Sequence, residues 1–250
     1  MAATATVVIP ARYASTRFPA KIIASETGRP LVQHVVDQVR KCKLVRETIV
    51  ATDDQRIVEA LRPFGTKCVM TDPNHASGTD RIAEVARKLP DGIIVNVQGD
   101  EPEIEPASVD QLIDEMQAFG AKMGTIATPF PAQLDPADPN FVKVVFNKHF
   151  RAMYFSRSLI PHRRDDSGPP TPYYLHMGVY GFERQFLLRI ADWMPTPTEV
   201  SEKLEQLRVL EHGGEIFVTI VDRAMHGIDT PEQYKAFVNR YREQANRNNR

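Results

Sequence analysis

Cysteine is scarce in this chain: Cys42 and Cys68 are the only two among 250 residues. They lie far apart without a CxxC spacing, which excludes a disulfide framework and a cysteine-based metal site. Seven histidines are present, and none of them forms an HExxH or a paired zinc spacing. We therefore expect the protein to work in a reducing compartment, the cytoplasm.

Long apolar runs and an excess of one charge are also missing. No segment approaches the roughly 18–20 apolar residues that cross a membrane, and the short apolar run at 6–10 leads directly into arginines rather than forming a signal-peptide core. The chain has 31 basic and 32 acidic residues, a formal net charge of −1. This balance argues against nucleic-acid binding and membrane insertion, so any anion must be bound by a local cluster of cations.

The common phosphate-binding motifs GxxxxGK[ST] and GxGxxG are absent, which disfavours a P-loop ATPase or a dinucleotide-binding protein. The first half of the chain instead alternates short apolar strands with amphipathic helices. The predicted strands are 6–10, 47–52, 67–70 and 92–97, and the predicted helices are 31–40, 57–64 and 78–89. This order predicts βαβ units and an α/β fold, with a mostly parallel, Rossmann-like sheet and helices on both faces.

The second half predicts a smaller, antiparallel β-rich insertion. Strands are expected at 123–129, 142–146, 152–156, 173–182 and 216–221, and helices at 202–212 and 231–244. A charged, proline-rich loop is expected at 161–172. Because no repeat or low-complexity linker divides the chain, we predict one domain over residues 1–250, with a β-rich region at 123–182 inside it.

A cluster of cations follows the first predicted strand. The segment 11–21 contains Arg12, Arg17 and Lys21 together with two hydroxyl side chains. Ligands of parallel sheets bind beyond the C-terminal ends of the strands, where this loop lies, and a triphosphate needs positive charge in one place. A solvated basic loop without a ligand explains the composition equally well.

Two aspartates are candidates for a magnesium site. Asp100 follows directly on a buried strand, and Mg²⁺ prefers oxygen ligands such as carboxylates at a strand end. Asp229 precedes a Thr-Pro-Glu sequence that is typical of a helix N-cap, and capping is the stronger interpretation of this residue alone. Asp53 is ambiguous in the same way, because it also precedes a predicted helix.

The remaining polar candidates have weaker signals. Ser77 and Gly78 open a predicted helix, whose free N–H groups suit a phosphate or a base carbonyl, and an N-cap is part of either interpretation. A lone histidine in a β-rich segment is more often an interior residue than a catalyst. Pattern alone singles out none of the polar residues near the later apolar segments: Arg157, His176, Glu205 and Gln206.

Taken together, these segments resemble the 3-deoxy-manno-octulosonate cytidylyltransferase (CMP-Kdo synthetase) family. The matching blocks are IPAR at 9–12 with Ser15, Arg17 and Lys21, ATD at 51–53, SGTDR at 77–81, NVQGDEP at 96–102, VKVV at 142–145, YFSR at 154–157, HMGVYG at 176–181, LEQLR at 204–208 and DTPE at 229–232. They occur in the family's order and spacing from about Val7 to about Phe237, which makes the match far more specific than any single motif.

The resemblance implies an α/β nucleotidyltransferase fold, usually a homodimer, that uses Mg²⁺ to join CTP to Kdo and releases pyrophosphate during lipopolysaccharide synthesis. It implies that the region 123–182 serves sugar binding or dimerisation. The implied roles are nucleotide binding by Ala11, Arg12, Lys21, Ser77, Gly78, Arg81 and Gln98, metal binding by Asp100 and Asp229, sugar-acid binding by Arg157, His176, Tyr180, Glu205 and Gln206, and catalysis by Asp100, Asp229, Arg12 and Lys21.

One departure and several alternatives accompany this interpretation. The family usually has Pro-Gly-Lys in the first loop, where this chain has Pro19-Ala20-Lys21, so we expect an effect on loop geometry and CTP affinity. The same CTP machinery would serve an 8-amino-Kdo or a sialic acid. A sugar-1-phosphate nucleotidyltransferase and a non-catalytic CTP-binding module are the more distant alternatives.

Overall fold

The structure is a computed structural model that describes residues 4–15, 17–75, 77–165, 172–224 and 227–248. The chain divides into two compact units, one formed by Met1–Pro90, Asn96–Ala107 and Met225–Arg250, and the other by Asp91–Val95 and Ser108–Ala224. The single domain predicted from the sequence stays a prediction. Most of the loop predicted at 161–172 lies outside the described residues.

The first unit is built on three parallel strands in the order β3-β2-β1. Its strands are β1 (Ala5–Ala11), β2 (Val45–Thr52) and β3 (Lys67–Met70), and its helices are α1 (Leu31–Val39), α2 (Gln55–Leu61), α3 (Gly78–Ala86) and α8 (Pro231–Asn248), with 3-10 turns at Lys21–Ile23 and Arg62–Phe64. The apolar residues of β1 are fully buried. The register aligns Ala11 with Thr52 and Thr52 with Met70, so the loops after all three strands leave from one edge.

The C-terminal helix α8 belongs to this unit because one face of it is apolar. Tyr234, Phe237 and Val238 are buried and form a cluster with Leu31 of α1 and Ile228. Burying these side chains removes them from water, and this is the main source of stability for a helix whose other faces are charged. The cluster fixes the start of α8, and with it the segment that contains Asp229.

The second unit combines parallel and antiparallel strands in the order β4-β8-β5-β9. β5 is antiparallel to β8 and parallel to β9, and β6 and β7 form an antiparallel hairpin that also pairs with β8. Its elements are β4 (Ile93–Asn96, which ends in the first unit), α4 (Pro106–Ala118, which begins there), β5 (Met123–Pro129), β6 (Lys143–Phe146), β7 (Ala152–Ser156), β8 (Tyr174–Glu183), α5 (Arg184–Ala191), α6 (Pro197–Glu202), α7 (Gln206–Glu211) and β9 (Phe217–Ile220).

The continuous helix predicted over 202–212 is wrong. The structure has two short helices, α6 and α7, separated at Lys203, whose backbone is left-handed with φ of 56°. The turn is supported by Arg208, which donates two hydrogen bonds of 2.6 and 2.8 Å to the buried Glu199 carboxylate. Within the described residues, no helix is both long and apolar enough to cross a membrane.

Candidate functional site

The first unit holds a buried lysine between two carboxylates. The ammonium of Lys21 donates to Asp100 Oδ2 at 2.6 Å and to the Ile228 carbonyl at 2.6 Å, and it lies 3.4 Å from Asp229 Oδ1. Lys21 is only 7% exposed, although it lies in the cationic loop after β1. The two aspartates singled out from the sequence are therefore brought to one point, although they lie 129 positions apart in the chain.

The capping interpretation of Asp229 is wrong. Thr230 is the residue whose hydroxyl accepts from the backbone N–H of Gln233 at the start of α8, at 3.3 Å. The carboxylate of Asp229 is directed at cations instead, because Arg17 Nη2 donates to its Oδ1 at 2.9 Å. Thr230 therefore has the capping role, and Asp229 has contacts with cations.

Backbone contacts hold Asp100 in place. The carbonyl of Asp100 accepts from the Ile228 N–H at 2.8 Å, which joins the segment after β4 to the segment before α8. Gly99 allows the chain to pass close to the end of β1, since a Cβ atom there would lie 3.1 Å from the Pro10 carbonyl oxygen and from Ile22 Cδ1. The next residue, Glu101, is buried, and its burial together with the Asp100 charge raises its pKa to about 8.

The donor set around Lys21 fits a magnesium ion. Asp100 and Asp229 offer hard carboxylate oxygens, and Mg²⁺ is commonly held by one or two carboxylates together with substrate phosphates. A positive group, the Lys21 ammonium, already occupies the position between the two carboxylates. Among the described residues there is no group of three or more His, Cys, Asp or Glu side chains that would hold a metal by itself.

The other residues of the predicted nucleotide set lie at or near the same strand edge. Arg12 is exposed and donates to the His75 carbonyl at 3.0 Å, and Ala11 is the buried last residue of β1. Ser77 caps α3 in a reciprocal capping box with Asp80, so the expected N-cap is confirmed. Two further members of the set are Gly78, whose Cβ position lies 3.7 Å from Pro10 Cγ, and the half-buried Gln98.

Arg81, also in that set, is fully buried. Its guanidinium donates to Asp53 Oδ2 at 2.7 Å and to Thr71 Oγ1 at 2.5 Å. Its Nε has no hydrogen-bond partner in the described part of the chain. Asp54, not Asp53, is the N-cap of α2, accepting from the Arg56 N–H. Asp53 therefore does not cap α2. It forms an ion pair with Arg81, which links the segments after β2 and β3 to α3.

In the second unit, Arg157 directly follows β7 and is tied down on two sides. Its Nε donates to the Glu202 carbonyl at 2.7 Å and its Nη1 to the Pro139 carbonyl at 3.0 Å. The Glu202 carboxylate accepts from the Arg157 backbone N–H at 2.9 Å. Within the described residues Nη2 has no protein partner, which leaves this end of the guanidinium available to an anion.

His176 and Tyr180 lie on β8 beside the same hairpin. The His176 ring packs edge-on against Phe155 of β7, with centroids 4.9 Å apart, and contacts the Tyr180 ring at 5.5 Å. Its Nε2 shares a 2.9 Å hydrogen bond with Thr125 Oγ1. Burial lowers the pKa of His176 from 6.5 to about 3, so the ring is neutral at neutral pH.

Glu205 and Gln206 open α7, which contacts β7. Glu205 is exposed, whereas Gln206 is only 4% exposed. The Nε2 amide of Gln206 has no hydrogen-bond partner in the part of the chain that the structure describes. Buried amide donors are almost always paired, so this one is suited to a ligand oxygen. The second unit therefore gathers its five predicted residues around β7, β8 and the start of α7.

Three residues that the sequence did not assign a function support these groups. Glu101 adjoins Asp100, Glu202 holds Arg157, and Lys143 donates to the Arg157 carbonyl at 2.5 Å. Glu101 and Lys143 lie within blocks shared with the family, but neither has a pattern that distinguishes it from an ordinary charged surface residue. Their signal is burial, which only the tertiary structure reveals.

Comparison with known proteins agrees with this geometry. Residues 6–218 match the family model described as "Cytidylyltransferase". The chain is 49% identical over 236 residues to the 3-deoxy-manno-octulosonate cytidylyltransferase of Geobacter metallireducens, covering 90% of this chain and 93% of that protein. The corresponding enzyme of Marinobacter nauticus is 46% identical over 243 residues, with 91% and 93% covered.

Solved structures are similar as well. A CMP:2-keto-3-deoxy-manno-octonic acid synthetase in complex with CTP superposes with a TM-score of 0.91 at 37% identity, covering 96% of this chain and 99% of that one. An inositol-1-phosphate CTP transferase from T. maritima, at 14% identity and a TM-score of 0.65, shares the fold alone. The predicted α/β nucleotidyltransferase fold is confirmed, and the chain belongs to the 3-deoxy-manno-octulosonate cytidylyltransferase family.

Proposed function

We propose that this protein transfers CMP from CTP to the anomeric hydroxyl of 3-deoxy-D-manno-octulosonate (Kdo), forming CMP-Kdo and pyrophosphate for lipopolysaccharide synthesis. The observation that carries the proposal is the convergence of Lys21, Asp100 and Asp229 in a member of this family. A cation between two carboxylates, beside a loop with two further arginines, provides what a metal-bound triphosphate requires. A similar structure contains CTP, which supports the choice of nucleotide.

The cationic loop would bind the phosphates. Arg12 is exposed, and Lys21 can change partner from carboxylate to phosphate, so both can stabilise the negative charge that grows on the β- and γ-phosphates. Asp100 and Asp229 would hold Mg²⁺, which when bound supplies neutralisation of phosphate charge and a lower pKa for a coordinated hydroxyl. The nucleoside would be held by the start of α3, at Ser77 and Gly78, with Arg81 and Gln98.

The second unit would bind the sugar acid. The free Nη2 of Arg157 suits the sugar carboxylate, and the unpartnered amide of Gln206 suits a sugar hydroxyl. His176, which is neutral at pH 7, would accept or donate one hydrogen bond without adding charge. Tyr180 and Glu205 complete this set as hydrogen-bonding groups.

The chemistry is an in-line displacement at the α-phosphorus. The anomeric oxygen of Kdo forms a bond to this phosphorus, the bond to the bridging oxygen breaks, and its electron pair leaves with pyrophosphate. The hydroxyl proton is lost to solvent. Such a step depends mainly on positioning and on charge stabilisation, which is the contribution of Arg12 and Lys21.

Two further features accompany this proposal. A homodimer, in which the β-rich region 123–182 takes part, is expected from the family resemblance, as is a cytoplasmic location. Neither Cys42 nor Cys68 forms a disulfide, which is consistent with a reducing compartment.

Pyrophosphate release from CTP and Mg²⁺, measured with and without Kdo, tests the function. Release that depends on Kdo is the expected result. Release only with an 8-amino-Kdo or a sialic acid would keep the mechanism and change the substrate. CTP binding without release for any sugar acid would contradict the proposal and favour a non-catalytic CTP-binding module.

A further inference from the structure

The side chain of Lys143 is an unusual feature of the second unit. It lies at the start of β6 and is 0% exposed, although lysine is among the residue types least often buried. Its ammonium donates to the carbonyl of Arg157 at 2.5 Å, of Phe141 at 2.7 Å and of Asp138 at 3.3 Å. All three N–H groups of the ammonium are therefore used by backbone oxygens, and a solvated surface lysine would not show this arrangement.

One of these three carbonyls is that of Arg157 itself, and the other two come from a loop that contacts the Arg157 side chain. Asp138 and Phe141 belong to the loop before β6, and this loop also supplies the Pro139 carbonyl that accepts from Arg157 Nη1. Lys143 thus holds the loop against the Arg157 backbone, while the loop holds the Arg157 guanidinium. Without the ammonium, the hydrogen-bonded bridge between the Arg157 carbonyl and the carbonyls of the loop is lost.

The same end of β6 also fixes His176. The carbonyl of Val142, the residue before Lys143, accepts from the His176 backbone N–H at 2.8 Å. In the register, Lys143 is opposite Ser156 of β7 on one side and Leu175 of β8 on the other. Two adjacent residues, Val142 and Lys143, therefore hold the backbones of both His176 and Arg157, two members of the proposed sugar-acid site.

We propose that Lys143 is a positioning residue for acid-sugar recognition, which holds Arg157 and the 138–141 loop so that the free end of the guanidinium meets the sugar carboxylate. This inference rests on the proposed function. It assigns no contact between Lys143 and the substrate, because the ammonium is buried and its N–H groups are all engaged. Its effect should therefore appear in sugar binding and not in CTP binding, whose residues lie in the other unit.

The test is the Lys143→Met variant, which keeps an unbranched side chain of similar length and removes the charge. Charge-assisted hydrogen bonds of this kind predict a rise of about 10- to 100-fold in the KM for Kdo, with the KM for CTP unchanged within about twofold. Thr219→Val is the matched control, because it removes another buried hydrogen bond of the second unit, from Thr219 Oγ1 to Glu115 at 2.7 Å, outside the site. If Lys143→Met does not fold, Lys143→Gln, which can still donate to two carbonyls, replaces it.

Hydrogen exchange gives a readout that does not require activity. A peptide covering 154–160 should exchange faster in Lys143→Met than in the parent or in Thr219→Val, because the Arg157 N–H loses its fixed geometry to Glu202. The inference would be overturned if Lys143→Met changed neither the exchange of this peptide nor the KM for Kdo. It would also be overturned if Lys143→Met changed the KM for Kdo and the KM for CTP equally, and by the same amounts as Thr219→Val. If the parent protein shows no Kdo-dependent turnover, the proposed function fails, and the exchange result alone decides the role of Lys143.

Discussion

Ala20 replaces the glycine that this family usually has in the first loop, and its backbone has the conformation that favours glycine. Its φ is 56° and its ψ is 21°, in the left-handed region, at the residue before the 3-10 turn Lys21–Ile23. An L-residue in this region costs roughly 1–2 kcal/mol, because Cβ crowds the backbone. The loop keeps the conformation because Lys21, the next residue, is fixed by three contacts of its ammonium.

The Ala20→Gly variant should therefore be more stable than the parent. Removing Cβ relieves a backbone strain of roughly 1–2 kcal/mol. Glycine also loses more conformational entropy on folding than alanine does, which costs about 0.5–1 kcal/mol. The net expectation is a stabilisation of about 0.5–1 kcal/mol, or a rise in Tm of about 1–4 °C for a chain of this size. The sequence predicts that alanine affects the loop and CTP affinity. Because the backbone at Ala20 already has a glycine-like conformation, this effect should be small, and the KM for CTP should stay within about twofold.

Urea unfolding of the parent and the variant measures this difference directly. Lys203→Gly is the matched control, because Lys203 has the same φ of 56° but ends α6 in the other unit. Both variants should gain stability by the same mechanism. A loss of stability in Ala20→Gly alongside a gain in Lys203→Gly would refute the assignment of strain to Ala20. A large change in the KM for CTP would refute the inference that alanine leaves the course of the loop unchanged.

Three further predictions concern Asp100 in the first unit and His176 and Gln206 in the second. Asp100→Asn should fold but lose about 10²–10³-fold in kcat/KM at saturating Mg²⁺, with the exposed Asp114→Asn as control; full activity would exclude Asp100 as a metal ligand. Because the folded pKa of His176 is about 3 and the unfolded value 6.5, the unfolded state alone gains this proton as pH falls below 6.5. Stability should then drop by up to about 2 kcal/mol between pH 7 and 5, and His176→Gln should reduce that dependence in urea titrations. Gln206→Leu should raise the KM for Kdo with little loss of stability, since the Nε2 atom of Gln206 has no protein partner in the described residues; an unchanged KM would exclude the contact.

The strands were predictable because their signal is local. Strands 67–70, 123–129 and 152–156 were predicted with the bounds that the structure has, since apolar and β-branched runs between turn residues determine them. The helices α4 and α5 were not predicted. The break between α6 and α7 depends on a left-handed residue and a buried ion pair, neither of which changes the apolar periodicity of the segment.

The site was predictable only in part, because its decisive contacts join residues that are distant in the chain. Asp229 and Thr230 both fit a capping pattern, and only the approach of Lys21, 208 positions away, separates the carboxylate that binds cations from the hydroxyl that caps. Asp53 was ambiguous in the same way, and only its ion pair with the buried Arg81 shows that it does not cap α2, a role that Asp54 has. Local patterns thus supplied the candidates, and long-range pairing assigned their roles.

The contacts of Lys21 also imply that CTP and Mg²⁺ bind cooperatively. The Lys21 ammonium faces both carboxylates that would hold the metal, so neither ligand can reach its partners without breaking these ion pairs. Binding both ligands would exchange the partners: the carboxylates would gain Mg²⁺, and the ammonium would gain phosphate oxygens. A single ligand leaves one group without its counter-charge, which is most costly for the Lys21 ammonium, because the Lys21 side chain is only 9% exposed.

Lys21→Met separates the two parts of this exchange. Removing the ammonium leaves Asp100 and Asp229 as an unbalanced pair, so the variant should bind Mg²⁺ about tenfold more tightly than the parent in the absence of CTP. It should also bind CTP more weakly, and Mg²⁺ should enhance its CTP affinity less than in the parent. Calorimetric titrations of each ligand, alone and in the presence of the other, measure all four affinities. Weaker Mg²⁺ binding in Lys21→Met would contradict the exchange, because it would mean that the ammonium helps to organise the carboxylates and does not compete for them.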